Sequence, residues 1–316
     1  MSERAKAISN FVRRQAAVNI PPILFVVAAA LLWSTGGLFI KATSLSVFEV
    51  SLGRSLLAAA TVAFFTRGEG FRLNRVTALS SVFYAGMLLL FVVATKLTTA
   101  ANAIFLQYTA PIYIMILEPL LYKERFRARD LAVIAACVAG MSLFFVGQIE
   151  ADGRLGNLAA LISGVCFALF ALLLRHPKTG EVNRASSVIY GNLLLASIAA
   201  LSLLFAPALT RSAGRVSIGD LMAVIYLGVV QIGLAYTLFT LGIARGVRSF
   251  DAGIVGYVEP VLNPVWVFLF IGECPSRWAI LGGAIIITAV ILHTLYGAKT
   301  KSNERDTPRA SEGVTT

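Results

Sequence analysis

The sequence predicts an all-α membrane protein with ten transmembrane helices, arranged as two inverted-topology repeats of five helices. Three observations predict this class: the composition, the alternation of basic connections between apolar runs, and a motif that recurs at a fixed offset. The chain of 316 residues is 58% hydrophobic and only 14% charged, whereas soluble domains carry about 25% charged residues. This composition, with a mean hydropathy of +0.81, excludes a cytosolic enzyme, a secreted domain and a disordered protein.

Ten apolar runs are separated by short charged or Gly/Pro-containing breaks. A helix needs about 20 residues to cross a bilayer, and in lipid a helix satisfies its own backbone hydrogen bonds. The runs lack the alternating pattern of a membrane barrel. The predicted spans are 22–41, 46–65, 76–95, 99–121, 130–148, 156–174, 186–206, 218–240, 251–271 and 278–297.

Lysine and arginine alternate strongly between the two sides of these spans. One side, which includes both tails, carries 20 of them; the other carries six, and Arg54 alone lies inside a span. By the positive-inside rule, both termini are expected in the cytoplasm. The net charge of +11 therefore reflects membrane topology, and no nucleic-acid partner is expected.

The chain resembles itself at an offset of 149 residues. Tyr108-x-x-Pro111 in span four matches Tyr257-x-x-Pro260 in span nine, and an acidic residue follows each proline by 13 positions. Spans four and nine run in opposite directions, which indicates an inverted repeat of the kind found in transporters. The predicted organisation is a cytoplasmic tail over 1–21, repeats over 22–148 and 149–297, and a cytoplasmic tail over 298–316.

Several short motifs carry a family resemblance over about residues 22–297. They are Leu31-Leu32-Trp33-Ser34, Arg54 to Ala59, Leu106 to Pro111 with Glu124, and Glu259-Pro260 followed by Ile271-Gly272-Glu273. In their order and spacing these residues resemble the EamA-type ten-helix branch of the drug/metabolite transporter superfamily. The sequence departs from that pattern at Lys123, where the family usually has glycine, and at Ser34-Thr35-Gly36-Gly37, where Trp-Gly-Ser-Asn is commoner.

The resemblance implies a secondary active transporter of the bacterial-type inner membrane that works by alternating access. Its expected substrate is a small organic metabolite, an amino acid or a related compound, and export is the expected direction. Spans one to four and six to nine would line the cavity. An uptake carrier for a vitamin or other metabolite is the alternative, and a facilitative channel is a further one.

Arg54 and Glu259 are the candidate charges near mid-membrane, where charges are costly and mark functional sites. Either could contact an anionic or zwitterionic substrate in a cavity between the halves. They could equally pair with each other and hold the repeats in register. A desolvated carboxyl group such as Glu259 could also exchange a proton during transport, and Pro260 beside it favours an irregular, cavity-lining segment.

The other candidates are polar and aromatic residues at depth, together with residues at the prolines and helix ends. The predicted substrate-binding set is Trp33, Arg54, Tyr84, Asn102, Gln107, Tyr108, Gln231, Tyr257, Glu259 and Asn263. The predicted gating or structural set is Pro111, Pro260, Glu118, Glu124 and Glu273, with Lys123 able to reach back to Glu118.

Motifs of enzymes and nucleotide-driven pumps are missing from the sequence: there is no phosphate-binding GxxxxGK[ST] loop, no HExxH and no GxSxG. An intramembrane enzyme with Glu259 as its acid–base group would need a second catalytic group that we cannot identify. We expect no enzyme activity, cofactor or metal site. The expected partners are the solute, the lipid bilayer and protons as a candidate coupling ion, and the chain is expected to be a monomer or a dimer.

Overall fold

The computed structural model describes residues 20–36, 39, 43–98, 100–123, 127–144, 146, 153–207, 212, 216–271, 274 and 276–306. Within these ranges the regular structure is helical, without strands, in agreement with the predicted all-α class. Glu124 and Glu273, both predicted as gating or structural residues, lie outside the described residues. The side chain of Asn263 also lies outside what the structure describes.

Serine and asparagine caps set the start of several helices. The hydroxyl oxygen of Ser46 accepts a hydrogen bond from the amide of Glu49, and the amide of Ser46 donates one to the Glu49 carboxylate. The two bonds form a capping box. Asn74 caps the next helix by accepting from the amide of Thr77 at 2.9 Å. The helices of the first half are α1 (Ile23–Trp33), α2 (Val47–Thr66), α3 (Arg75–Leu97), α4 (Ala100–Gln107), α5 (Ala110–Tyr122) and α6 (Ala128–Phe144).

The second half contains a stretch of unusual helix. Residues Leu227–Leu234 form a π-helical segment between two α-helices. Such segments are rare in proteins, and many of those that occur lie at functional sites. The helices of the second half are α7 (Arg154–Arg175), α8 (Pro177–Gly180), α9 (Ser186–Phe205), α10 (Ile218–Tyr226), the π-helical segment, α11 (Ala235–Ala244), α12 (Ser249–Gly256), α13 (Val258–Ile271) and α14 (Arg277–Asp306).

Seven helical stretches within the described residues are long and apolar enough to cross a membrane. They are Val47–Glu69, Arg75–Ala94, Asn102–Tyr122, Arg154–Arg175, Ser186–Phe205, Ile218–Ala244 and Arg277–Tyr296. The predicted spans 22–41, 130–148 and 251–271 correspond to shorter or divided helices, α1, α6 and the pair α12–α13. The chain is therefore a multi-pass helical membrane protein, and the count of ten spans stays a prediction.

Helices of the two halves pack chiefly on each other. The most extensive contacts pair α3 with α7, α2 with α9 and α6 with α14. Glycine permits the close approach, since a Cβ at Gly156 would lie 2.6 Å from the backbone of Leu97, and one at Gly140 would lie 2.9 Å from the carbonyl of Gly282. Helices from the two halves of the chain therefore lie in close contact.

Large apolar side chains cover the outside of the bundle. Phe64, Phe65, Leu204, Phe205 and Phe270 are all exposed. In a soluble protein this surface would be an aggregation hazard, but lipid is as apolar as these side chains. The surface therefore fits a protein surrounded by bilayer.

Candidate functional site

The two Tyr-x-x-Pro segments coincide with breaks in helices. Tyr108 lies in the turn between α4 and α5, and Pro111 is in the first turn of α5. Tyr257 lies between α12 and α13, and Pro260 is in the first turn of α13. Proline lacks a backbone N–H and fixes φ, so it suits the start of a helix, where the N–H has no partner in any case.

The structure brings the two repeat-equivalent tyrosines together. The hydroxyl of Tyr257 donates a 2.7 Å hydrogen bond to the backbone carbonyl of Tyr108, and the ring centroids lie 5.4 Å apart. This bond gives a partner to a carbonyl that the interrupted helix leaves without its usual one. The break in one half is thus held by a side chain at the break in the other half.

Glu259 lies beside this pair of tyrosines. The hydroxyl of Tyr108 donates a 2.6 Å hydrogen bond to Oε2 of Glu259. Both side chains are partly exposed, although they sit among buried residues of the bundle. A carboxyl group in this position has a neutral hydrogen-bond donor, and no described residue forms an ion pair with it.

Arg54 is a buried cation on α2, 6% exposed. Its Nε has no hydrogen-bond partner, and no described residue accepts a hydrogen bond from its guanidinium or forms an ion pair with it. The side chains of Tyr84 and Tyr236 interact with it electrostatically. Arg54 and Glu259, both described, form no ion pair with each other in this structure; Tyr236 lies within electrostatic range of both.

Aromatic rings surround the Arg54 region. The ring of Tyr236 on α11 lies 4.8 Å from that of Trp33 and 4.9 Å from that of Tyr84. Phe170 and Phe239 extend the cluster, at 5.1 Å from Tyr84 and 5.3 Å from Trp33. Helices α1, α3, α7 and α11 thus supply one aromatic wall beside the arginine of α2.

The remaining predicted polar residues divide into two groups. Gln231 lies in the π-helical segment, and its amide nitrogen is 3.5 Å from the carbonyl oxygen of Trp33, so it belongs to the Arg54 region. Gln107 and Asn102 instead join helices: Gln107 donates to Ser163 at 2.8 Å, and Asn102 donates to Asn157 at 3.1 Å. Both bonds join α4 to α7.

Tyr236 was missing from the predicted binding set, although Gln231 was in it. Residues Leu227–Leu234 were predicted as part of an ordinary helical span, and the structure shows them as a π-helical segment that ends two residues before Tyr236. The i to i+5 hydrogen bonding of such a segment changes which side chains share a face. In the sequence Tyr236 is an aromatic residue within an apolar run, which does not distinguish a binding residue from a packing residue.

A second cluster of charges lies at one end of the bundle, around Glu118 of α5. Glu118 is 1% exposed and forms ion pairs with Arg175 at 2.9 Å and Arg248 at 3.2 Å. It also accepts a 3.0 Å hydrogen bond from the amide of Ser249, at the start of α12. Lys123 is exposed and does not reach back to pair with Glu118, because α5 ends there in a left-handed residue.

Arg248 links this cluster to further carboxylates. It lies 3.1 Å from Asp130 of α6 and 3.8 Å from Asp251 of α12, and Asp251 in turn contacts His293 of α14 at 2.9 Å. Burial lowers the pKa of Arg248, but Asp251, Glu118 and Asp130 outweigh it and raise that pKa above its ordinary value. The guanidinium therefore stays charged throughout the physiological pH range, and the charge cluster joins α5, α6, α7, α12 and α14.

One protein-family model matches the chain twice, over residues 20–146 and 154–295, and it describes the EamA-like transporter family. The chain belongs to the EamA-like transporter family.

Individual relatives agree with this assignment. An uncharacterized transporter of Archaeoglobus fulgidus is 25% identical over 269 residues, which cover 84% of this chain and 94% of that protein. The aromatic amino acid exporter YddG of Ancylobacter novellus is 26% identical over 289 residues, 86% of this chain and 96% of that protein. One solved crystal structure superposes with a TM-score of 0.76 at 23% identity, covering 87% of this chain and 97% of that one.

This EamA-like protein is a small-molecule transporter of a membrane, and not an enzyme. Two of its polar regions, around Arg54 and around Glu259, combine a charged side chain with tyrosines, and the Glu118 cluster is a third, more strongly charged group. Among the described residues, no group of three or more His, Cys, Asp and Glu side chains is placed to hold a metal ion.

Proposed function

We propose that this protein is a secondary active transporter that moves an amino acid or a related small metabolite across the bacterial-type inner membrane, with export as its direction. The observation that carries the proposal is the pair Arg54 and Glu259, opposite charges from opposite halves that do not neutralise each other. A zwitterionic solute presents the complement, since its carboxylate matches the arginine and its ammonium group matches the glutamate.

The relatives support the solute class and the direction. YddG of Ancylobacter novellus is named an aromatic amino acid exporter. The aromatic wall formed by Trp33, Tyr84 and Tyr236 offers an apolar surface beside the two charges, and binding sites combine an apolar lining with a few placed polar groups. An uptake carrier remains the alternative, because neither the charges nor the rings determine direction.

The proposed mechanism is alternating access between two inverted repeats. Two features support it: the family model matches each half separately, and the bonded pair Tyr108 and Tyr257 has the offset of the repeat, 149 residues. Helix breaks at Pro111 and Pro260 provide points at which α5 and α13 can move relative to α4 and α12. Irregular backbone at membrane depth is tolerated where it lines a cavity.

We assign the Glu118 cluster to the cytoplasmic gate. The positive-inside rule puts this end of the bundle in the cytoplasm, together with both termini. Ion pairs from Glu118 to Arg175 and Arg248 connect a helix of the first half to two helices of the second. Opening toward the cytoplasm would separate these pairs, so their formation belongs to the closed state of this gate.

Exchange of solutes by the purified protein tests the proposed function. We would load proteoliposomes with a mixture of amino acids and related metabolites and measure uptake of labelled external solute, with and without a pH gradient. Amino acids inside the vesicles are expected to accelerate uptake of the labelled amino acid. An alternating-access carrier changes between its outward-open and inward-open states faster when it carries a solute in both directions. Flux that neither saturates nor responds to solute on the other side would indicate a channel, and exchange restricted to other metabolites would reject the amino-acid assignment.

A further inference from the structure

Three buried polar groups from three different helical segments lack partners in the same region. Arg54, Trp33 and Gln231 are 6%, 6% and 8% exposed. Arg54 Nε, Trp33 Nε1 and Gln231 Oε1 have no hydrogen-bond partner among the described residues. The amide nitrogen of Gln231 makes only a 3.5 Å contact with the carbonyl of Trp33, which is at the limit of hydrogen bonding.

Such groups need an explanation, because buried polar atoms in proteins are almost always satisfied. An arginine inside a membrane span is costlier still, and it ordinarily finds a partner or faces a solute pathway. Among the described residues no carboxylate forms an ion pair with Arg54, and the groups that interact with it electrostatically are the tyrosines Tyr84 and Tyr236. A purely structural arginine would be expected to have an acceptor within reach.

Contacts of three helical segments bring these groups into one region. Trp33 packs its ring 4.8 Å from that of Tyr236, and Arg54 interacts electrostatically with the same tyrosine. The π-helical segment that carries Gln231 packs on α2, since a Cβ at Gly228 would lie 2.8 Å from the carbonyl oxygen of Arg54. Gln231 itself lies beside α1, with its amide nitrogen 3.5 Å from the carbonyl oxygen of Trp33.

The hydrogen-bond donors of Arg54 and Trp33 are suited to a planar anion such as a carboxylate. Arginine presents a planar fork of N–H donors that matches a carboxylate, and the indole of Trp33 adds one more N–H donor. We propose that Arg54 and Trp33 bind the carboxylate group of the transported solute, with Gln231 positioned beside it and the aromatic wall against its apolar part. This proposal rests on the proposed transport function, since it names the part of the solute that the Arg54 region holds.

A matched pair of probes tests the subsite directly. Hydrocinnamate and hydrocinnamide share their shape and differ in the carboxylate, and their binding to the full-length protein in nanodiscs can be measured by calorimetry. The wild-type protein is expected to bind the carboxylate at least about tenfold more tightly, as befits a charge-assisted contact. Equal affinity for the two probes, or no binding of the carboxylate, would overturn the proposal.

Variants separate a binding role from a structural one. Arg54→Gln should abolish the preference for the carboxylate, Arg54→Lys should reduce it because the planar fork is lost, and Trp33→Phe should reduce it while keeping an aromatic ring. Arg72→Gln, at an exposed position of the α2–α3 connection, should leave the preference unchanged. If Arg54→Gln fails to fold, the other two variants still decide, and an unchanged preference in both rejects the subsite.

The same preparation distinguishes this inference from the transport function. A wild-type protein that exchanges amino acids but shows no preference for the carboxylate probe would reject the subsite and leave transport standing. A protein that prefers the carboxylate but exchanges no amino acid would retain the subsite and reject the proposed function.

Discussion

Arg54 is a buried arginine within an apolar run of α2. Its isolation within an apolar run is visible in the sequence, and the cost of a mid-membrane charge makes it a candidate for function or for pairing with Glu259. In the part of the chain that the structure describes, no residue pairs with it, and Tyr84 and Tyr236 lie in its surroundings. Glu259 has a neutral donor, Tyr108, instead of a cation. These local environments favour solute recognition over a fixed bridge between the repeats.

Replacement of Glu259 by glutamine should uncouple transport from protons. The Gln side-chain oxygen can still accept the hydrogen bond from Tyr108, so the protein should fold. Exchange at equal pH should persist with a weaker solute affinity, because the ammonium group of the solute loses its charged partner. A pH gradient should no longer drive accumulation, because glutamine cannot take up or release a proton in this pH range. Accumulation and counterflow in proteoliposomes measure the two effects separately.

Glu49→Gln is the matched control. Glu49 lies in the first turn of α2, where its carboxylate accepts hydrogen bonds from Ser46 and Ser212. It should retain gradient-driven accumulation. Accumulation by Glu259→Gln at the wild-type level would show that this carboxyl carries no coupling proton.

At the scale of elements, helix ends meet in combinations that the sequence does not specify. Glu118 was predicted as a gating residue, but its partners were not: they come from α7 and from the start of α12, whose Ser249 lies 131 residues away along the chain. Asp130 and Asp251 extend the cluster through Arg248. A single buried carboxylate thus fixes the positions of three helices at the proposed cytoplasmic gate.

Truncation of Glu118 to alanine should destabilise the folded protein by about 3–5 kcal/mol, the cost of breaking a buried ion pair. Arg175 would lose the carboxylate that holds it, whereas Arg248 would keep Asp130 and Asp251. Denaturant unfolding of the purified protein in detergent, followed by circular dichroism, measures the loss.

Glu181→Ala serves as the comparison, because Glu181 is exposed at the same end of the bundle. It should change the unfolding free energy by less than about 0.5 kcal/mol, as surface substitutions usually do. Equal effects of the two substitutions would argue against a stabilising cluster at Glu118.

At the scale of the whole molecule, the helices of each half pack mainly on helices of the other. Contacts at one end involve Glu118, Arg175 and Arg248, whereas Asp220 accepts hydrogen bonds from Thr43 and Ser44 at the other end. Residues that the positive-inside rule assigns to the same side of the membrane thus contact each other. Which side is cytoplasmic stays a prediction from that rule.

The natural cysteines offer a test of that orientation. Cys274, in the connection between α13 and α14, is exposed, whereas Cys137 is buried and Cys166 half-buried. If the termini are cytoplasmic, a membrane-impermeant maleimide should label Cys274 in intact spheroplasts. Gly68→Cys in a Cys274→Ser background should label only after permeabilisation, since Gly68 is in the connection after α2. The opposite pattern would invert the topology.

The sequence by itself determined the helical class and the membrane environment, and it indicated an irregular segment beside Pro260. These properties follow from local patterns, namely apolar runs of membrane length and a proline within such a run. Local hydrogen bonding and lipid solvation act over one or two helical turns, so a linear pattern is enough to specify them.

Only the tertiary structure decided which polar groups have partners. The pairs Glu118 with Arg248 and Tyr257 with Tyr108 join segments more than a hundred residues apart, and Arg54 finds no ion-pair partner among the described residues. No periodicity along the chain encodes such a pairing, because it arises from how the two halves pack and from the register of one π-helical segment. Hydrogen bonds and ion pairs form only within about 3–4 Å, and in this protein those distances are set by the fold.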